Sequence, residues 1–197
     1  MFGTKILEER DSKYNGHIKV VKTLGMGTYI QCNGLTQSGG IVESIWKTTL
    51  RQITNHKSLI TNVLILGLGG GTVAKLLRKK YPNAKITGVE IDPIMVELGE
   101  KYLDLGKYNI NIKIADALTY KLLPITYDLV IVDTYLGDKY VDLTGSEPVR
   151  SSITVFNRLY YGDKKQEALE FGEKLKSIFR TVYVFRPRTN IIFLCGK

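Results

Sequence analysis

Histidine and cysteine are scarce in this chain, with two of each among 197 residues. His17 and His56 lie far apart, and Cys32 and Cys195 have no neighbours at metal-ligand spacing. Neither a metal centre nor a histidine-based catalytic triad is therefore expected. Both cysteines stand in apolar, strand-like contexts, which reads as buried free thiols in a reducing compartment. No apolar run approaches the roughly 20 residues that span a bilayer. The first ten residues, Met1 to Arg10, contain no apolar signal core and no cleavage site, so a cytoplasmic protein is expected. Internal repeats and low-complexity tracts are absent as well. Acids are outnumbered: 19 Asp and Glu face 28 Lys and Arg, a net charge of +9. The basic residues are spread out, with short clusters at Arg78-Lys79-Lys80, Lys164-Lys165 and Arg186/Arg188. The first two fall on expected helices, where solvated faces are the ordinary reading. Without an RNA-binding motif or aromatic-basic interleaving, nucleic acid is not an expected partner. A positive field also suits acidic or neutral small molecules better than polycations.

What remains is ordinary soluble-domain composition, 44 % apolar and 24 % charged, on a chain long enough for one full domain and a small appendage. Two phrases organise it. Val63-Leu64-Ile65-Leu66 is followed by Gly67, Gly69, Gly70 and Gly71, then by Val73, Ala74, Leu76 and Leu77 at helical spacing: strand, tight turn, helix. The glycines allow turns and close approach to a ligand, and Thr72 is an expected helix cap. The second phrase, Ile86 to Glu90, is another apolar strand, with Asp92 as helix cap and Pro93 at the first helical position. A carboxylate there, about 20 residues past the glycines, is placed to accept both hydroxyls of a ribose. Thr at position 72 leaves the dinucleotide fingerprint without its last glycine, which favours an adenosylmethionine-type ligand over NAD.

Residues 1–57 read as a small β segment with a linking helix, and 58–197 as the nucleoside-binding domain. In the first, Lys5–Glu9, His17–Thr23, Thr28–Cys32 and Leu35–Ser38 alternate as strands, the last two joined by Asn33-Gly34, a strong hairpin signal. Ile41, Ile45, Trp46, Leu50 and Ile53 share one face of the following helix. Beyond Leu59 strands and helices alternate: Val63–Leu66, Val73–Lys80, Lys85–Glu90, Pro93–Leu103, Ile110–Ala115 and Leu129–Asp133. That order predicts a Rossmann-like, doubly wound, mostly parallel sheet. Residues 134–150, with Gly137, Gly145 and Pro148, read as loop, and Ser152–Phe156 as a fifth strand. Asp163 and Gln166 have capping-box spacing for a helix to Phe179. Thr181–Phe185 and Ile191–Cys195 close the chain as an antiparallel hairpin.

These two phrases, with Asp116-Ala117 and the run Tyr127 to Asp133 downstream, resemble class I S-adenosylmethionine-dependent transferases. Among those the chain looks most like the spermidine synthase-like (polyamine aminopropyltransferase) group. The order Tyr14, Ile18, Val20, Gly34, Gln37, Trp46 is similar to the N-terminal β segment that covers one side of that family's active site. The resemblance implies a donor site at Gly67, Gly69, Gly70, Gly71, Glu90, Ile91, Asp116 and Ala117, with Asp116 on the adenine amino group. It implies Asp133 as base on the acceptor and Gln37 beside the substrate; Trp46, which could stack on a substrate, and Tyr135, in the loop after Asp133, are further candidate substrate contacts. It also implies a homodimer.

Departures from the family pattern bear on the reaction. Gly70 stands where the family carries an acid facing the aminopropyl amine, Leu136 replaces a second acid, and Trp46 replaces a tyrosine. Burying an ammonium without such partners is costly. Methyl transfer from S-adenosylmethionine to a small-molecule acceptor is therefore favoured, with the Gly70 N–H expected to face the donor's carboxylate. The alternatives are conversion of putrescine to spermidine with decarboxylated S-adenosylmethionine, and a non-catalytic nucleoside-binding relative.

Overall fold

Alternation in the first forty residues produces four strands in an antiparallel meander: β1 (Thr4–Ser12), β2 (Gly16–Thr23), β3 (Gly27–Cys32) and β4 (Leu35–Gly39). This is a computed structural model that describes residues 3–53, 60–120, 127–144 and 151–196. The Asn33-Gly34 turn has positive φ at both residues, 49° and 82°, as a two-residue hairpin of the right twist requires. Ile18, Val20, Ile30 and Cys32 point to one face of the meander and are fully buried. A four-stranded sheet of this size needs a cover, and Met95 and Leu98 provide it. The helix α1 (Gly40–Ile53) follows, burying Ile45, Trp46, Leu50 and Ile53, with Thr49 joining them and Ile41 left half-buried. The expected boundary at 57/58 and His56 lie outside the described residues.

The second sheet has seven strands. Its parallel part is β5 (Asn62–Leu66), β6 (Lys85–Glu90), β7 (Asn111–Ile114), β8 (Tyr127–Val132) and, after the short pair β9 (Tyr135–Leu136) and β10 (Lys139–Tyr140), β11 (Ser151–Leu159). The chain ends with β12 (Thr181–Phe185) and β13 (Asn190–Gly196). Spatial order is β12-β13-β11-β8-β5-β6-β7, with β13 inserted antiparallel between β11 and β12. Order reverses between β5 and β8, so a crevice opens at the carboxyl ends of those strands. Helices α2 (Thr72–Lys80) and α3 (Pro93–Leu103) form the crossovers, and α4 (Lys164–Ile178) leads into β12. Two apolar layers result: α1 and α2 pack over Val63, Ile65, Leu129 and Ile131, while Phe171 and Leu175 of α4 pack over Leu64, Val130 and Phe193. The doubly wound, mostly parallel architecture expected from the sequence is the one observed.

Several local expectations are corrected. Thr72 does not cap α2. Gly71 occupies the cap in the left-handed region (φ 87°), and the Thr72 hydroxyl instead accepts from the Gly39 N–H at 2.7 Å. Asp163 has helical dihedrals and makes no capping bond, while Gln166 pairs with Glu170 at 2.8 Å. Asp92 caps α3 as expected, accepting from the Ile94 N–H at 3.0 Å. The stretch after β8 is a hairpin turning at Gly137 (φ 63°) rather than plain loop, and 145–150, with Gly145 and Pro148, lie outside the described residues. Arg78 is not part of a solvated face: its guanidinium donates to the carbonyls of Pro82, Ala84, Tyr108 and Asn109 at 2.7–2.9 Å. Lys80 likewise donates to the Leu50 carbonyl. These arginine and lysine bonds tie α2 to the loops around it and to α1.

Candidate active site

The glycine turn brings β5 closer to its neighbours than any side chain would allow. A Cβ on Gly67 (φ 85°) would sit 2.2 Å from the Asp133 carbonyl oxygen. One on Gly69 (φ 56°) would sit 2.9 Å from the Ser38 hydroxyl. Gly67, Gly69, Glu90, Ile91, Asp116 and Ala117 line a single cavity of about 290 Å³ at the carboxyl edge of the sheet. Glu90 ends β6 and is 7 % exposed. One of its oxygens accepts from the Gly69 N–H at 2.7 Å and the other from the Asp92 N–H at 3.0 Å. Burial raises its pKa, and these two backbone bonds oppose the rise. Each oxygen retains a lone pair, so the carboxylate can still accept two hydroxyls. Asp116 accepts from the Leu118 N–H at 2.9 Å through Oδ1, and its Oδ2 has no partner among the described residues.

Gly70 and Gly71 do not line the cavity. The Gly70 N–H donates to the buried Ser38 hydroxyl at 2.8 Å, so it is not available to a ligand carboxylate. A Cβ on Gly70 would meet Ile30, Leu103 and Ser38, beneath the N-terminal sheet, and one on Gly71 would meet Leu105. The expectation that Gly70 faces the donor is therefore corrected: both glycines serve close packing.

On the other side of the crevice Asp133 follows β8. Its carboxylate is half-buried in the cavity wall and bonded by two donors, the Asn157 amide at 2.9 Å and the Trp46 indole N–H at 3.2 Å. Burial pushes its pKa up to about 6, with those two bonds opposing the shift. Trp46 is 0 % exposed and stands behind Asp133 rather than in the cavity, so the geometry makes it a support for the carboxylate and not a platform for substrate. Gln37 and Tyr135 do line the cavity. The Gln37 amide donates to the Gly137 carbonyl at 2.8 Å, holding the β9–β10 hairpin against β4. The Tyr135 hydroxyl donates to the Asn157 carbonyl at 3.2 Å and accepts from the Leu159 N–H at 2.9 Å. Leu136 lines the cavity as an apolar wall.

Three asparagines that sequence reasoning did not assign to the site also line the cavity: Asn15, Asn157 and Asn190. Asn15 donates to Asp92 at 2.7 Å and accepts from the Gly137 N–H at 3.2 Å, joining the N-terminal sheet to both sides of the crevice. Asn157 and Asn190 are 6 % and 5 % exposed and bonded to each other at 2.8 Å. The available signal was a lone amide within or beside an apolar strand, Phe156-Asn157 and Asn190-Ile191, because a buried amide needs a partner. Among the described residues no Lys, Arg or His lines the cavity, and no three His, Cys, Asp or Glu side chains cluster as a metal site. Cys32 and Cys195 are free and buried, their thiols pushed up to about 12 by burial. No helix among the described residues is long and apolar enough to cross a membrane.

Comparison with known proteins places this geometry in context. Residues 63–143 match a family model described as a methyltransferase domain. A polyamine aminopropyltransferase of Clostridium botulinum (strain Eklund 17B / Type B) is 34 % identical over 176 residues, covering 84 % of this chain and 57 % of that protein. An eEF1A lysine and N-terminal methyltransferase homolog of Drosophila pseudoobscura pseudoobscura is 47 % identical over 49 residues, 25 % of this chain and 7 % of that one. The chain thus spans less than two thirds of the length of these curated relatives. Among solved structures, a probable spermidine synthase from Corynebacterium glutamicum ATCC 13032 superposes with a TM-score of 0.71 at 20 % identity, over 98 % of this chain and 80 % of that one. At that identity the likeness shows a shared fold.

Proposed function

We infer that this chain, which is a spermidine synthase-like protein of the class I S-adenosylmethionine-dependent methyltransferase fold, is a transferase. Its donor is S-adenosylmethionine or the decarboxylated form, and methyl transfer to a small-molecule acceptor is the reading we favour. The observation that carries it is the pairing, across one cavity, of a ribose-type carboxylate, Glu90, with a half-buried acid of raised pKa, Asp133. When bound, the donor supplies an electrophilic carbon on a sulfonium. Glu90 would hold the ribose hydroxyls, Asp116 through its Oδ2 the adenine amino group, and Gly67 and Gly69 would let the donor lie against bare backbone. Asp133, with a pKa near 6, is ionised at neutral pH yet basic enough to accept a proton from the attacking group. The rest of the rate would come from holding acceptor and donor in line within the cavity.

Methyl transfer is favoured by a count of acids. Glu90 and Asp116 are committed to the nucleoside, which leaves Asp133 as the only acid among the described lining residues. Aminopropyl transfer between amines would bury at least two ammonium groups, each needing a partner. One observation favours the aminopropyl reading: no cationic side chain lines the cavity to pair with the carboxylate of S-adenosylmethionine. Titration calorimetry with both donors, followed by assay on putrescine, decides between them. Tighter binding of S-adenosylmethionine supports methyl transfer. Preference for the decarboxylated donor together with conversion of putrescine to spermidine would overturn it. In this reading residues 1–57 close one side of the site and 58–197 bind the donor, in a cytoplasmic homodimer that acts on small molecules and not on nucleic acid.

A further inference from the structure

One unbroken line of hydrogen bonds runs along the cavity wall. The Thr189 hydroxyl donates to Asn190 Oδ1 at 3.2 Å, Asn190 Nδ2 donates to Asn157 Oδ1 at 2.8 Å, and Asn157 Nδ2 donates to Asp133 Oδ1 at 2.9 Å. From the opposite side Trp46 Nε1 donates to Asp133 Oδ2 at 3.2 Å. The polarity of this line has a chemical origin. An ionised carboxylate only accepts, so the group of Asn157 that faces Asp133 must be its NH₂. Asn157 then turns its oxygen toward Asn190, which must answer with its own NH₂. The amide of Asn157 cannot reverse without setting oxygen against the carboxylate at one end and NH₂ against NH₂ at the other.

Register makes this contact possible. Asn190 is the first residue of β13 and pairs with Leu159 at the carboxyl end of β11, two residues beyond Asn157. Both amides are nearly buried, so the bond between them is not exchanged freely with bulk water. The other ionisable groups around Asp133 are Tyr135 and Tyr140 on the hairpin, and Glu90 and Asp116 across the cavity. Arg158 of β11 lies on the far face of the strand, stacked on Tyr140 and Phe171. None of these bonds Asp133 directly. Asn157 and Trp46 alone donate to it among the described residues.

We propose that Asn190 is a positioning residue that, through Asn157, holds Asp133 as an oriented, ionised proton acceptor. Asn190 acts by fixing which end of the Asn157 amide meets the carboxylate. The proposal rests on the reading of Asp133 as the proton acceptor, but it can be tested without any substrate. Trp46 is the only tryptophan in the chain, and its indole N–H is bonded to Asp133. Its fluorescence, excited where tyrosine does not absorb, therefore reports the protonation of Asp133.

The wild-type protein should show a fluorescence transition centred near pH 6 that Asp133→Asn abolishes. Asn190→Ala removes the donor that locks Asn157 and adds no charge, and should raise the midpoint by about 0.5 pH unit, roughly threefold in proton affinity. Asn190→Asp can only accept, so it turns the Asn157 oxygen onto Asp133 and should raise the midpoint by about one unit or more, tenfold. A midpoint unmoved in Asn190→Ala overturns the proposal, even if Asn190→Asp shifts it, because the latter would then be charge acting through space. Should Asn190→Asp fail to fold by circular dichroism, the alanine variant decides alone. Calorimetry with S-adenosylmethionine on the wild type separates the two claims: no binding would sink the functional reading and leave the relay standing.

Discussion

Replacing Trp46 by Phe tests whether this residue supports Asp133 or touches substrate. The substitution deletes one donor to the carboxylate and also some buried ring contact, a packing loss that is the same at every pH and so separates from the titration effect. A hydrogen bond to a charged acceptor contributes about 1.5–3 kcal/mol, and at 3.2 Å this one belongs at the lower end. A loss of about 1.5 kcal/mol from the ionised form is about one pKa unit, moving Asp133 from about 6 to about 7. The ionised fraction would then fall about fivefold at pH 6 but by only about a tenth at pH 8. In a pH profile of kcat/KM the acid limb should shift up by about one unit, with the plateau and KM nearly unchanged. Stability should follow the same titration. The folded pKa of Asp133 is raised above its ordinary 3.8, so the stability tied to its protonated form is lost as pH rises toward 6. In Trp46→Phe that loss continues to about pH 7, so the variant should be more destabilised at pH 8 than at pH 5 by about 1.5 kcal/mol. A uniform loss of activity at every pH with a raised KM would refute this reasoning and return Trp46 to the substrate site.

Other perturbations read other parts of the structure. Glu90→Gln keeps the shape but leaves one accepting oxygen, and should weaken donor binding by about 1.5–3 kcal/mol in titration calorimetry. Wild-type binding should itself weaken as pH falls through the raised pKa of Glu90, and a flat profile would make this acid a loop-orienting group only. Gly99→Ala sets a Cβ 2.7 Å from the Gly70 Cα and 2.8 Å from its carbonyl oxygen, backbone that cannot step aside. A loss of about 1–3 kcal/mol in urea denaturation is expected, and an unchanged midpoint would mean that α3 does not rest on the glycine turn. Arg158 is 8 % exposed, stacks 3.6 Å above the Tyr140 ring and has no carboxylate partner among the described residues. Arg158→Met should therefore be neutral or raise Tm, since a buried cation gives up more hydration than a stack returns; a loss above about 2 kcal/mol would show that the stack outweighs desolvation.

What the sequence determined by itself is most of what depends on neighbours within a few positions, the unformed Asp163–Gln166 capping box being an exception. The strand–glycine–helix phrase at 63–77, the acid ending β6, the Asp92-Pro93 start of α3 and the Asn33-Gly34 turn are all where local stereochemistry puts them. Apolar periodicity and backbone dihedral preference act over one or two turns, so they can be read along the chain. The tertiary structure decided the partners of polar groups far apart in sequence. Thr72 has the right chemistry for a cap, yet its hydroxyl is taken by Gly39, and Ser38 takes the Gly70 N–H that an alignment would offer to a ligand. Trp46 shares its helix face with core residues, and nothing local says that its one polar atom meets Asp133, 87 positions away. Asn157 and Asn190 meet only because β13 enters the sheet antiparallel beside β11. A buried polar group must be satisfied, but which group satisfies it is fixed by strand order and register, and those follow from how the apolar faces close over one another.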